Sequence, residues 1–294
     1  DGNRTPVSFL SGGQPGSPLR LSDGGTRRVD VIFPLLHGPD GEDGAIQGLA
    51  RLVDLPCVSA GILGSAVGMD KDVSKRLLRD AGLSVAPFEV LFGDGVDTDH
   101  LRCIEERLDY PLFVKPANLG SSVGVSKATQ RDELKAALRL AFQFEEKVLV
   151  EQAIVGREME CSILGNRDPM VSLPGEVVVD EGFYTYERKY IDENGATLII
   201  PAEIDDTATK RLQQTALTTF TTLEGRGMAR VDMFLLPSGE VFVNEVNTIP
   251  GFTKNSMYPK LWEASGVSYT QLLDRLIALA VEEFQRWRSR RVTR

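Results

Sequence analysis

Two alternating stretches, Arg230-Val231-Asp232-Met233-Phe234-Leu235-Leu236 and Val241-Phe242-Val243-Asn244-Glu245-Val246-Asn247, flank the tetrapeptide Pro237-Ser238-Gly239-Glu240. Alternation on both sides of a turn-forming segment predicts a β-hairpin with a four-residue loop built around a type I turn. If Leu236 pairs with Val241, Asp232 stands opposite Glu245, and Asn247 shares their face one step further along. Facing carboxylates repel and destabilise a sheet unless a cation lies between them. Three hard oxygen donors without thiol or imidazole suit a magnesium ion that keeps positions open for phosphate oxygens and water. A solvated polar hairpin face is the plainer alternative. Against it, Thr248-Ile249-Pro250-Gly251 breaks the strand directly beside the triad.

The rest of the chain must supply what such a face would act on. A length of 294 residues predicts roughly two domains. A net charge of −9 argues against a surface that tracks nucleic-acid phosphates. No apolar run approaches the roughly 20 residues of a membrane-spanning helix, and no signal segment opens the chain. Cys57, Cys103 and Cys161 are odd in number and far apart, which predicts reduced core thiols in a cytoplasmic protein. With His37 and His100 the only histidines, zinc chemistry and a Ser-His-Asp triad have little to draw on.

Residues 11–28 read as loop. Val29–Leu36 reads as a buried strand, followed by the loop His37–Gly44 and a helix whose face is Ala45, Ile46, Leu49, Leu52 and Val53. A short strand, Cys57–Ala60, completes a strand–loop–helix–strand order, the grammar of a parallel α/β layer. Asp70 can cap a helix through Leu77, Leu78 and Ala81, which Gly82 stops. Further strands at Val85–Phe92, Pro111–Lys115, Val148–Gln152, Met159–Leu164 and Gly175–Val179 alternate with helices near Thr98–Leu108, Arg131–Phe142 and Thr207–Leu223. A long helix through Leu272, Leu276, Ala280 and Trp287 ends the chain.

A second chemical signal is Phe113-Val114-Lys115-Pro116-Ala117-Asn118-Leu119-Gly120-Ser121-Ser122-Val123-Gly124. A strand ends on a lysine, and a Gly-Ser-Ser-Val-Gly loop returns into a second strand. Gly120 and Gly124 permit close backbone approach, so amides can converge on phosphate oxygens. The segment lacks both GxxxxGK[ST] and GxGxxG, and a plain Gly-Ser hairpin tip is its simplest reading when taken alone. With Lys115 before it and the carboxylate hairpin after it, nucleotide phosphate binding is the better expectation.

Together, Lys115 through Gly124, Arg230-Val231-Asp232 and Asn244-Glu245-Val246-Asn247-Thr248-Ile249-Pro250-Gly251-Phe252-Thr253 resemble the ATP-grasp ligases. His37-Gly38-Pro39 with Gly41-Glu42-Asp43-Gly44, Met69-Asp70-Lys71 and Tyr184-Thr185-Tyr186-Glu187-Arg188-Lys189-Tyr190 are similar to the D-alanine–D-alanine ligase family within them. The resemblance runs from about residue 29 to residue 280. It implies an α/β (α+β) ATP-grasp fold of three subdomains, with a parallel α/β layer first and ATP held between the other two. The expected divisions are 1–59, 60–155 and 156–294, with a lid at 180–195.

The resemblance further implies an ATP-dependent, cytoplasmic bacterial ligase, expected as a homodimer, that joins two D-alanine molecules through a D-alanyl phosphate for peptidoglycan. No nucleic acid or membrane partner is implied. Asp232, Glu245 and Asn247 would hold two Mg2+ or Mn2+ ions. Lys71, Lys115, Ser122 and Lys189 would meet the ATP phosphates, Glu151 the adenine and Glu158 the ribose. Arg230 and the amide of Gly251 would stabilise the oxyanion, and Tyr190 would bond to Ser121 across the closed lid. Glu42 would lie near the first alanine, although it could also favour the start of the helix that follows it. Ser256 and Met257 would lie at the second alanine's carboxylate.

One family element has no match: the N-terminal glycine-rich strand–loop whose glutamate binds the first D-alanine. Ser11-Gly12-Gly13 lacks that glutamate and the helix after it. The chain is expected to begin part-way through the family's first domain, the alternative being a changed first-substrate site. Two other functions stay open at this point. One is a related carboxylate–amine or carboxylate–hydroxyl ligase, such as one making D-alanyl-D-lactate. The other is a nucleotide-binding regulator without catalysis.

Overall fold

The computed structural model describes residues 7–9, 18–93, 98–120, 123–178 and 197–290. Three sheets organise them. The first is antiparallel, of strands β1 (Val7–Phe9), β2 (Pro18–Leu21) and β3 (Thr26–Arg28). Residues 18–28, expected as loop, are therefore a hairpin. Its glycines form the tip: Gly24 sits at φ 85, and the Gly25 N–H donates to Asp23 Oδ1 at 2.8 Å. Glycine and aspartate here turn the chain instead of leaving it irregular.

The expected strand at Val29–Leu36 shrinks to a single parallel bridge, Ile32 to Cys57. The direction of the layer is as anticipated and its extent is not. Pro34 has no N–H to extend the ladder, and Leu35 and Leu36 are exposed. Helix α1 (Ala45–Leu52) also departs from its apolar pattern. It buries Gln47 and Ala50 and turns Leu49 and Leu52 outward, because the Gln47 amide donates to Gly41 O at 2.8 Å and holds the preceding loop.

Helices α2 (Ile62–Met69) and α3 (Lys71–Asp80) lead into strand β4 (Ser84–Val85) and the second sheet. Asp70 caps α3 as its sequence suggests, accepting from the Val73 N–H at 3.0 Å. The second sheet is antiparallel throughout. Its order is β5 (Phe88–Phe92), β8 (Lys147–Gln152), β6 (Leu112–Pro116) and β7 (Ser126–Ala128). Helices α4 (Thr98–Arg107) and α5 (Arg131–Ala141) bury Leu101, Ile104, Leu134 and Leu138 against Leu112, Val114 and Val150. Cys103, expected in a core, lies on the exposed side of α4, while Cys161 is buried and all three thiols are free.

The third sheet has seven strands. Its path runs β12 (Thr197–Ile199), β11 (Gly175–Val178), β9 (Arg157–Leu164), β13 (Met228–Leu235), β14 (Val241–Asn247) and β4, with β10 (Met170–Val171) paired to β9. On one face, α6 (Asp206–Thr222) packs Leu212, Ala216 and Phe220 onto Met159, Cys161, Val231 and Met233. At the Leu164 and Met228 end, α7 (Met257–Ala264) and α8 (Tyr269–Arg288) gather around Phe252, Tyr258 and Trp262.

The β13–β14 hairpin reaches the anticipated pairing by an unanticipated route. Its loop has three residues, not four: the Leu236 N–H donates to Glu240 O at 2.9 Å, and the Gly239 N–H to Leu236 O at 2.8 Å. Gly239, at φ 81, supplies the left-handed third position that such loops need. Leu235 rather than Leu236 therefore pairs with Val241, one residue out of the expected register. A bulge then takes up Asn244, so that Met233 pairs with Val243 and Asp232 still pairs with Glu245. The bulge also changes which face each residue occupies. Val241 and Val243 lie in the core with α6, whereas Glu245 turns to the opposite face and lines the cavity described next.

Candidate active site

A cavity of about 520 Å³ lies between the second and third sheets. Its acidic wall is one cross-strand row. Glu160 on β9 pairs with Asp232 on β13, and Asp232 with Glu245 on β14. Two residues back, Arg230 projects from the same face of β13 and pairs with Asn247. Arg230 donates to both oxygens of Asp232, Nε to Oδ1 and Nη2 to Oδ2, each at 2.7 Å. Asn247 Nδ2 donates to Asp232 Oδ2 at 2.9 Å, and Arg230 Nε also lies 2.9 Å from Glu160 Oε2.

The basic wall comes from α3 and the second sheet. Lys71 and Lys75, one helical turn apart, share a face of α3. Lys71 Nζ donates to Leu119 O at 2.7 Å, at the start of the glycine loop, and stands 4.0 Å from Glu245 Oε2. Lys115 Nζ lies 2.6 Å from one oxygen of Glu151, and Lys75 Nζ lies 3.4 Å from the other. These groups are largely withdrawn from water, with side-chain exposures of 13% for Lys115, 4% for Glu151 and 1% for Lys75. Burial lowers the basicity of Lys71 and Lys75, against the pull of Glu245 and Glu151 respectively. For Glu151, burial pushes the carboxyl upward, but Lys115 and Lys75 together hold it below the usual carboxylate value.

The start of α3 is pinned so that its lysines face the cleft. Asp70 forms an ion pair with Lys147 on β8, and Asp72 lies 3.5 Å from the same amine while Arg76 grips it from α3. The Lys71 N–H donates to Ala117 O at 3.0 Å, and Asn118 is held by Glu145.

The structure brings most of the expected residues to one place. Lys71, Lys115, Glu151, Glu158, Asp232 and Glu245 line the cavity. Asn247 and Arg230 adjoin it through Asp232. Gly251 and Ser256 lie together: a Cβ on Gly251 would come within 2.9 Å of Ser256 Oγ. Ser256 Oγ also accepts from the Thr253 N–H at 3.0 Å. The Met257 side chain is core, packed with Val177 and Leu261, so only its backbone is placed to meet a ligand.

Glu42 differs from the picture of a residue that starts a helix. Its carboxylate is buried and accepts from the Gly38 N–H at 2.7 Å and the Ile249 N–H at 3.3 Å. It thus ties the 37–44 loop to the segment that follows β14. Burial raises its proton affinity, and those two amides work the other way. Ser121, Ser122, Lys189, Tyr190 and the expected lid 180–195 lie outside the described residues.

Two residues of the site escaped sequence reading. Lys75 could have been found one helical turn after Lys71, and Glu160 two residues after Glu158 on the same strand face. Among the described residues no group of three or more His, Cys, Asp and Glu side chains is placed to hold a metal ion. Asp232 and Glu245 with the Asn247 amide offer hard donors only, and leave the rest of a cation's shell to water or ligand oxygens.

A carboxylate row on one sheet, facing lysines from a helix and a second antiparallel sheet that ends in a glycine loop, defines an ATP-grasp enzyme. The family described as D-ala D-ala ligase C-terminus matches residues 77–278, and that described as D-ala D-ala ligase N-terminus matches residues 16–60. The D-alanine–D-alanine ligase A of Chromobacterium violaceum is 56% identical over 256 residues, which are 87% of this chain and 70% of that protein. The solved structure of the D-Ala:D-Ser ligase VanG from Enterococcus faecalis superposes with a TM-score of 0.85 at 40% identity, covering 94% of this chain and 79% of that one. The D-alanine–D-alanine ligase from Bacillus anthracis, solved complexed with ATP, superposes with a TM-score of 0.75 at 28% identity over 88% of this chain and 81% of that one. The chain belongs to the D-alanine–D-alanine ligase family.

Proposed function

We propose that the protein is an ADP-forming ligase that uses ATP to join two D-alanine molecules into D-alanyl-D-alanine, a unit of peptidoglycan. The observation that carries this reading is the Glu160–Asp232–Glu245 row facing Lys71 and Lys115 across one cavity, in a chain of this family. The relatives are enzymes, which removes the non-catalytic regulator from consideration.

The first alanine's carboxylate oxygen attacks the γ-phosphorus of ATP, releasing ADP and leaving an acyl phosphate. The amine of the second alanine attacks that carbonyl carbon, loses a proton, and the tetrahedral intermediate expels phosphate. Lys71 and Lys115 are the groups we assign to the phosphates, since both reach the cavity beside the glycine loop. Glu158 and Glu151, which line the same cavity, are assigned to the ribose and the adenine, the charge of Glu151 offset by Lys75. Arg230 is assigned to the carbonyl oxygen as it becomes negative, with the Gly251 N–H as second donor. Ser256 and the amide at the start of α7 are assigned to the second alanine's carboxylate, where the helix dipole favours an anion. Ser121 and Tyr190 keep the lid-closing pair that the family resemblance implies, and Ser122 and Lys189 the phosphate contacts.

Asp232, Glu245 and Asn247 fit a hard divalent cation by donor type, and are the residues we assign to two Mg2+ or Mn2+ ions. When bound, such ions neutralise the charge of the phosphates and of the group in transfer. A homodimer in the bacterial cytoplasm completes the proposal. No helix among the described residues is long and apolar enough to cross a membrane.

The test is D-alanine-dependent release of phosphate from ATP with identification of the dipeptide. Wild-type protein should form both, and Glu245→Gln, which removes a charge at constant volume, should lower turnover by at least about a hundredfold while melting within a few degrees of the parent. ATP turnover that ignores D-alanine would overturn the assignment. Near-normal turnover by the variant would make the carboxylate row structural.

A further inference from the structure

The carboxylate row contains one anion more than the assigned chemistry uses. Asp232 and Glu245 have proposed ligand roles, but Glu160 has none. It is 6% exposed and stands directly beside Asp232 on the neighbouring strand. Its Oε2 lies 2.9 Å from Arg230 Nε. Arg230 is therefore gripped from two strands at once, by Glu160 on β9 and by Asp232 on its own strand.

Both oxygens of Asp232 are engaged, by the two guanidinium nitrogens and by the Asn247 amide. Oδ2 already accepts two hydrogen bonds, so a cation binding there displaces one of them, and a cation on Oδ1 shares that atom with the Arg230 Nε–H. The Arg230 side chain is only 11% exposed, and a buried charge that loses its counter-ion without another is strongly disfavoured. An arginine released by Asp232 would swing to wherever an anion remains. Glu160 is that anion, already in contact and on a different strand, so the guanidinium can stay beside the reacting carbonyl as Asp232 is given over to the metal.

We infer that Glu160 is a positioning residue for Arg230, holding its guanidinium in place and keeping it from competing with the metal ion for Asp232. The inference rests on the ligase reading and on the assignment of Asp232 as a metal ligand.

Binding of ADP, followed by titration calorimetry as Mg2+ is varied, tests it without relying on turnover. Glu160→Gln keeps the volume and an acceptor but loses the charge, so Arg230 leans more heavily on Asp232. The Mg2+ concentration giving half-maximal nucleotide affinity should rise about tenfold, the scale of one close, partly desolvated ion pair, and kcat should fall with it. Glu160→Asp should recover most of both. In an Arg230→Met background, with the competitor gone, Glu160→Gln should leave the Mg2+ midpoint unmoved. An unshifted midpoint in the single variant would overturn the inference, whether or not the melting temperature drops. So would an equal shift in the Arg230→Met background, which would mean that Glu160 touches the ion itself. Wild-type dipeptide synthesis, measured alongside, separates these failures from failure of the ligase reading.

Discussion

At the scale of single residues, the site is a set of buried charges whose partners are shared. Glu151 illustrates it, with one oxygen facing Lys115 and the other Lys75. Its carboxyl is held below the usual value of 4.5. The folded chain therefore binds fewer protons than the unfolded chain between that depressed value and 4.5. The stabilisation is fully present above 4.5 and is lost as pH falls through the folded value. Glu151→Gln leaves two lysines without their shared counter-ion and should cost about 3–5 kcal/mol at neutral pH. Urea denaturation at descending pH should show the gap between parent and variant closing on the acid side. A gap that stays constant would mean the ion pairs contribute no stability. The residue scale is also where sequence reading reached least evenly. Asp232, Glu245 and Lys115 sit beside turn and glycine signals that mark them as unusual. Lys75 and Glu160 lie inside a regular helix and strand, where an ionic residue reads as ordinary surface, and only the neighbouring element shows that it is buried.

At the scale of elements, six of the eight described helices and most strands were legible because local chemistry supports their periodicity, while α2 and α7 were not. Asp70 caps α3, Asp205 caps α6 through the Ala208 N–H at 2.7 Å, and Ser268 with Gln271 forms a capping box on α8. What was illegible depends on partners. The apolar run of Val29–Leu36 promises a buried strand, yet only Ile32 finds one residue to pair with. The β13–β14 hairpin is subtler still. Its expected Asp232–Glu245 pairing exists because a shorter loop and a bulge offset one another, and neither was predicted. Strict alternation would have put Glu245 on the same side as Val241 and Val243. Asp70 allows a test at this scale, since it both caps α3 and anchors it to Lys147. Asp70→Ala should lose about 1 kcal/mol from the cap. Because Lys71 and Lys75 ride on the first turns of that helix, the KM for ATP should rise several-fold with little change in kcat. A lower melting temperature with an unchanged KM would show that the helix start does not set the lysines' positions.

At the scale of the whole molecule, the cavity is walled by two sheets that have separate cores. A ligand that bridges the walls should stabilise both together. Nucleotide with Mg2+ at about a hundred times its dissociation constant should add about 2.7 kcal/mol, read as one cooperative upward shift in thermal melting. Movement of only part of a biphasic transition would show that the nucleotide engages one wall alone. Glu42 extends the same dependence along the chain, since its carboxylate meets the Ile249 N–H across 207 residues of sequence. A ribosome elongating at roughly 5–20 residues per second takes about 10–40 seconds to travel between them. Throughout that interval the 37–44 loop waits without the backbone that fixes its glutamate, and for most of it the carboxylates of the hairpin do not yet exist. The nascent polypeptide is thus barred by its own order of manufacture from consuming ATP until the hairpin and the segment that follows it have been made.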